Sequence, residues 1–229
     1  MLIFIAGMPR SGSTYSFNVV KQALSRRGDV ASVTSDRRAQ FTSGETNHAI
    51  YKAHDADDEL LSLLQNGSIK SICTIRKPEI AVLSWLNTFG GEPTQVIDTV
   101  MLPWMRLYER IAAHSLVISL DEIEGRRLRS TWKIGRYACP DYSPVEWMKD
   151  CRNFSKRRVS DLLKEVEDKK RKVVEGGWTY YDEETFFHRR HISDRSKFDT
   201  RPEVLAYIRN RLAPWLDGNG NLIRPGQHS

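Results

Sequence analysis

The sequence is poor in cysteine: Cys73, Cys139 and Cys151 are the three in 229 residues, and none belongs to a C-x-x-C pair. An odd, widely spaced set excludes a disulfide framework and a structural zinc site of the usual spacing. Long hydrophobic runs are also missing, since no stretch approaches the ~20 apolar residues that cross a bilayer. The opening Met1-Leu2-Ile3-Phe4-Ile5-Ala6 is apolar but too short for a signal peptide and carries no basic leader. These absences lead to the expectation of a chain without a membrane span in a reducing, cytoplasmic setting. There is no internal repeat and no low-complexity segment. With 40% hydrophobic and 28% charged residues, the composition is that of a folded globular chain.

What is present begins with positive charge. The 35 Lys+Arg outnumber the 29 Asp+Glu, for a formal net charge of +6. The surplus is concentrated: from Arg126 to Lys172 there are 15 Lys+Arg against 7 Asp+Glu, an excess of eight. Nucleic acid, acidic polysaccharide and a phosphorylated nucleotide are all anionic partners that such a balance accommodates. A solvated helical surface explains the same stretch equally well.

Hydrophobic patterning gives strands alternating with helices. Residues 2–6 read as a buried strand ending in Gly7, and Phe17, Val20 and Leu24 recur at helical spacing after a turn-rich stretch. Strands are expected at Val30 to Thr34, His48 to Ala53, Ile69 to Ile75 and Ser115 to Leu120. Helices are expected from the acidic start at Asp57-Asp58-Glu59, from Pro78, and over Thr94 to Ala113. This order predicts an α/β fold, three layers deep, around a central parallel sheet. Beyond Arg126 the chain is more helical and more polar. Val159, Leu162, Leu163 and Val166 form one apolar stripe, and Val204, Leu205, Ile208 and Leu212 form another after Pro202.

The turn Gly7-Met8-Pro9-Arg10-Ser11-Gly12-Ser13-Thr14 lies between the first strand and the first helix. That arrangement aims backbone N–H groups and a helix N-terminus at an anion. The spacing Gly7-x4-Gly12 fits a P-loop, but Ser13 stands where a nucleotide-hydrolysing loop has lysine. The cation lies three residues upstream, at Arg10.

Pro9-Arg10-Ser11-Gly12-Ser13-Thr14-Tyr15 resembles the 5′-phosphosulfate loop of the sulfotransferases that use 3′-phosphoadenosine 5′-phosphosulfate (PAPS). The strand-end Arg76 after Ile72-Cys73-Thr74-Ile75, with Ser84 eight residues on, resembles that family's 3′-phosphate signature. Lys52-Ala53-His54 resembles its K-x-H motif in order and position. His191-Ile192-Ser193-Asp194 is similar to a loop that some bacterial members place by the nucleotide, so the likeness is to a bacterial or phage-type, P-loop-like member.

The resemblance implies a single domain over 1–229. Residues 1–125 are its nucleotide-binding core, 126–200 a basic, mostly helical acceptor or lid region, and 201–216 a C-terminal helix. It implies in-line sulfuryl transfer from PAPS to a hydroxyl or amine, leaving 3′-phosphoadenosine 5′-phosphate (PAP), without a metal. His54 is implied as general base, with Arg10 stabilising the leaving charge and Lys52 touching the sulfuryl group or bridging oxygen. Arg10, Ser11, Gly12, Ser13, Thr14, Tyr15, Arg76, Ser84, His191, Ser193 and Arg195 are implied to hold the nucleotide.

Plainer readings stand beside these. His54 caps the helix starting near Asp57, Tyr15 is a core residue instead of an adenine stack, and Arg76 and Ser84 are an ordinary surface pair and helix serine. Two other functions compete: a P-loop kinase using ATP and Mg²⁺ with Asp121 at a strand end, and a basic module binding nucleic acid. No dedicated nucleic-acid signature appears. The acceptor is left open between a glycan and a small alcohol.

Overall fold

The computed structural model describes residues 1–34, 46–168, 173–176, 179–182, 185–187 and 202–223. Five strands, β1 (Leu2–Gly7), β2 (Val30–Thr34), β3 (His48–Ala53), β4 (Lys70–Ile75) and β5 (Ser115–Ser119), form one sheet in the order β2-β3-β1-β4-β5. Every neighbouring pair is parallel, with Ile5 opposite both Lys52 and Ile72. Parallel strands need crossovers on the sheet faces, so both faces are buried and the strands read as continuous apolar runs.

Alternation along β1 divides the core in two. Phe4 and Ala6 face one apolar layer, Ile3 and Ile5 the other. The first layer is built by α2 (Asp58–Gln65), α3 (Pro78–Phe89), α5 (Leu102–Ile111) and α10 (Pro202–Leu212). The second is built by α1 (Ser13–Ser25), α7 (Arg127–Ala138), α8 (Pro144–Asn153) and α9 (Lys156–Glu167). The fold is therefore the expected three-layer α/β arrangement, and the polar helices after Arg126 are packed onto α1. Two buttresses fix α8 there. Arg26 forks onto the fully buried Asp150 at 2.5 and 3.0 Å, and Tyr142 donates to the same carboxylate at 2.7 Å. Arg27 pairs with both Asp141 and Glu146.

Three local differences from the sequence reading have physical causes. The helical run near Thr94 is not uniform: α4 (Pro93–Val96) passes through a wide turn at Ile97–Met101, where Leu102 N–H bonds Ile97 O five residues back. Pro103 follows with no N–H to donate, so the regular ladder cannot run through this point. The last strand stops at Ser119 because the Ser119 hydroxyl accepts Glu122 N–H at 3.0 Å and starts α6 (Leu120–Gly125). Asp121 and Glu122 thus lie in a helical first turn instead of extending the strand. The antiparallel pair β6 (Val173–Gly176) and β7 (Thr179–Asp182) was not expected, since neither four-residue strand carries a readable alternation.

Candidate functional site

The glycine turn sits at the carboxyl end of β1, between β3 and β4, where crossovers leave the sheet toward opposite faces. Such switch points are where open α/β sheets bind ligands. The turn is held in shape from below. Ser11 Oγ lies 2.6 Å from Met8 O and 2.9 Å from Thr74 O, and Thr74 Oγ1 is 2.7 Å away. Met8 N–H also donates to Thr74 O at 2.9 Å. Ser11 is therefore turned inward, and its hydroxyl fastens the turn to β4.

Backbone conformation finishes the cradle. Gly12 adopts φ 85° as the N-cap of α1, and Arg10 adopts φ 65°, a left-handed conformation that costs a residue with a Cβ of order 1–3 kcal/mol. Gly7 is required by close approach: a Cβ there would meet Ser13 Cβ at 2.2 Å.

Five polar side chains, from the loop, two strand ends and one helix, converge on this turn. Lys52, on β3, donates to Thr14 Oγ1 at 3.0 Å. Beyond the end of the same strand, His54 Nδ1 lies 2.5 Å from Gly7 O. A carbonyl can only accept, so Nδ1 carries the hydrogen and Nε2 is the basic nitrogen of the neutral ring. His54 is not the cap of α2, because Asp57 accepts Leu60 N–H at 2.9 Å in that role. Arg10 Nε donates to Ser84 Oγ on α3 at 3.0 Å, and its guanidinium lies over the Phe89 ring, 5.8 Å from the centroid. Arg76, after β4, donates from Nη1 to Arg10 O at 3.2 Å. Burial, with the like charge of Arg76 adding to it, pulls the Arg10 pKa down from 12.5 to about 10. Two guanidiniums thus lie side by side at the turn, where Arg76 is buried and Arg10 partly so. Such a corner suits the phosphate groups of a nucleotide.

Not every expected residue is at the turn. Tyr15 points away into the α1–α7 packing, where its hydroxyl lies 2.5 Å from Thr131 Oγ1, Phe154 meets its ring edge-on and Arg127 lies over its face. Burial raises its pKa to about 12. The packing supports the core reading of Tyr15. His191, Ser193 and Arg195 lie outside the described residues. The chain before them is anchored near the turn, because Asn18 donates to both Thr14 O and Thr185 O at 2.8 Å.

Thr74 and Phe89 were not singled out by sequence, although each shapes the turn or its arginine. Thr74 is an unremarked strand threonine and Phe89 a helix-end aromatic; only proximity gives them a role. Asp121 faces solvent in the first turn of α6, and Glu122 pairs with Lys133 at 2.5 Å. Among the described residues no group of three or more His, Cys, Asp or Glu is arranged to hold a metal, and no helix is long and apolar enough to cross a membrane.

No family model and no curated protein matches the sequence. Solved structures do match in fold. Mouse sulfotransferase SULT7A1 complexed with PAP aligns over 93% of this chain and 82% of its own, at 15% identity and TM-score 0.59. Retinol dehydratase in complex with androsterone and inactive cofactor PAP aligns over 93% and 80%, at 11% identity and TM-score 0.60. The same enzyme with retinol and PAP gives 10% identity and TM-score 0.59. The five-stranded parallel sheet flanked by helices is thus the P-loop-like α/β fold of the sulfotransferases.

Proposed function

We propose that this chain is a PAPS-dependent sulfotransferase. The observation that carries the reading is the meeting of the K-x-H pair with the glycine turn, Lys52 on Thr14 and His54 on Gly7. The fold shared with PAP-bound sulfotransferases supports it.

PAPS supplies a sulfuryl group already activated by its bond to the 5′-phosphate. The chain's part is to position and to neutralise charge. The turn N–H groups and the Ser13 and Thr14 hydroxyls receive the 5′-phosphate end, and Lys52 lies beside Thr14 for the sulfuryl oxygens or the bridging oxygen. Arg10 balances the charge left on the 5′-phosphate; a well-placed donor to developing charge is worth about 3 kcal/mol of barrier. Being charged throughout the neutral range, Arg10 acts electrostatically and not as a proton donor. Arg76, with Ser84 nearby, takes the 3′-phosphate. Ser11 contributes by shaping the turn. An acceptor hydroxyl gives its proton to His54 Nε2 as its oxygen bonds to sulfur, and the sulfur–oxygen bond to the 5′-phosphate breaks.

The acceptor, whether glycan or small alcohol, is the open part of the reading, and residues 126–200 are proposed to contribute to its site. Heat denaturation of the full chain tests the cofactor. PAP without Mg²⁺ should raise the melting temperature far more than ATP does. A rise with Mg·ATP alone would replace this reading with the kinase. An acceptor screen with labelled PAPS then identifies the substrate.

A further inference from the structure

The basic excess after Arg126 is not absorbed by the nucleotide site, and the structure shows where it goes. Between residues 126 and 158 there are ten Lys and Arg against three carboxylates, Asp141, Glu146 and Asp150. Arg26 and Arg27 at the end of α1 pair with all three, and the two that belong to α8, Glu146 and Asp150, are turned inward, while Asp141, in the turn before α8, stays exposed. The outer side of α8 is therefore left with cations alone.

That outer side is also apolar. On α8, Met148 and Lys149 lie three and four residues after Val145, and Arg152 four and three after them, so the four share one face. The opposite face carries Glu146, Trp147 and Asp150 into the contacts with α1 and α7. Val145 and Met148 are 56% and 55% exposed, and Leu128, at 59%, lies on the neighbouring α7, where its carbonyl accepts the Trp147 Nε1 hydrogen at 2.7 Å. Of the four large hydrophobic side chains that stand out as exposed among the described residues, these are three, and Met1 is the fourth. Arg129, one residue on from Leu128, is exposed as well.

A soluble polyanion offers the two bulky apolar residues at this crest nothing to bury in. Apolar crest residues ringed by Lys and Arg suit the headgroup zone of an anionic bilayer, where chain ends sink into the acyl boundary and cations meet lipid phosphates. We infer that the α8 face, with Leu128 beside it, docks on anionic phospholipid membranes. It does so as a peripheral contact, independent of the nucleotide site.

The test is co-sedimentation of the full chain with vesicles of phosphatidylcholine alone or mixed with phosphatidylserine, at low and high salt. Binding is expected to the mixed vesicles only and to weaken with salt. Replacing Val145 and Met148 together by Ser should lower the partition coefficient about tenfold, and Lys149→Glu with Arg152→Glu should abolish it. Circular dichroism confirms that these surface variants are folded. No binding to mixed vesicles overturns the inference. So does binding that the Ser substitutions leave unchanged, or a preference for heparin or RNA over vesicles, because charge alone then accounts for the face.

Discussion

Arg10 Nε donates a 3.0 Å hydrogen bond to Ser84 Oγ, joining residues 74 positions apart and linking the loop to α3. The bond aims a guanidinium whose own backbone sits in the left-handed region, so side-chain direction and turn shape depend on one another. Ser84 is fully buried, which makes the contact rigid. Ser84→Ala is expected to lower kcat about tenfold with little change in stability, read from steady-state kinetics beside a melting curve. An unchanged kcat would show that the Ser84 bond does not position Arg10.

His54→Ala should remove most turnover while PAP affinity, measured by calorimetry, stays near that of the parent. His54→Asn supplies a test of the hydrogen bond alone. Its side-chain amide has the donor for Gly7 O but no basic nitrogen, so the fold is kept and turnover is still lost. If either variant loses PAP binding instead, His54 belongs to the nucleotide contacts.

Arg76→Ala should weaken PAP far more than adenosine 5′-phosphosulfate, since PAP carries a 3′-phosphate and adenosine 5′-phosphosulfate does not. Charge-assisted hydrogen bonds of this kind are worth about 1.5–3 kcal/mol, which is roughly 10- to 100-fold in Kd. Equal weakening of both ligands would remove Arg76 from the 3′-phosphate.

Gly7→Ala should be poorly tolerated. Its Cβ would meet Ser13 Cβ at 2.2 Å and Ser13 Oγ at 2.7 Å, and both belong to the start of α1, which cannot retreat without opening the turn. The expected result is a lower melting temperature together with lost PAP binding. A variant that binds PAP normally would mean that the turn reshapes freely.

Acid sensitivity follows from the α1–α8 buttress. The Arg27 guanidinium holds the Glu146 carboxyl down from 4.5 to about 2. A carboxylate depressed in the folded state adds stability that is complete above its unfolded pKa and is lost as pH falls toward the folded one. Stability should therefore decline between about pH 5 and pH 2, and Glu146→Gln should flatten that limb while lowering the plateau above it. Urea denaturation across this range checks the sign.

The sequence by itself determined the layer order of this protein and the residues of its turn. Runs such as Ile3-Phe4-Ile5 and Ser71-Ile72-Cys73-Thr74-Ile75 are buried on both faces, as the central strands of a parallel sheet are. The glycines at 7 and 12 with Arg10 between them were legible because local backbone geometry restricts which residues fit. Tertiary structure alone decided which side chains serve the turn. Ser11 and Tyr15 stand in the same motif, yet one faces β4 and the other α7, because helix phase and packing set direction. Thr74 and Phe89 gained their contacts from sheet register and from the path of α3, which bring together groups dozens of residues apart. Likewise, which cations of the basic stretch face outward was settled by Arg26 and Arg27, whose pairing with the carboxylates of α8 and the turn before it depends on two helices meeting. Local pattern is written along the chain; partnership across it exists only once the layers have packed.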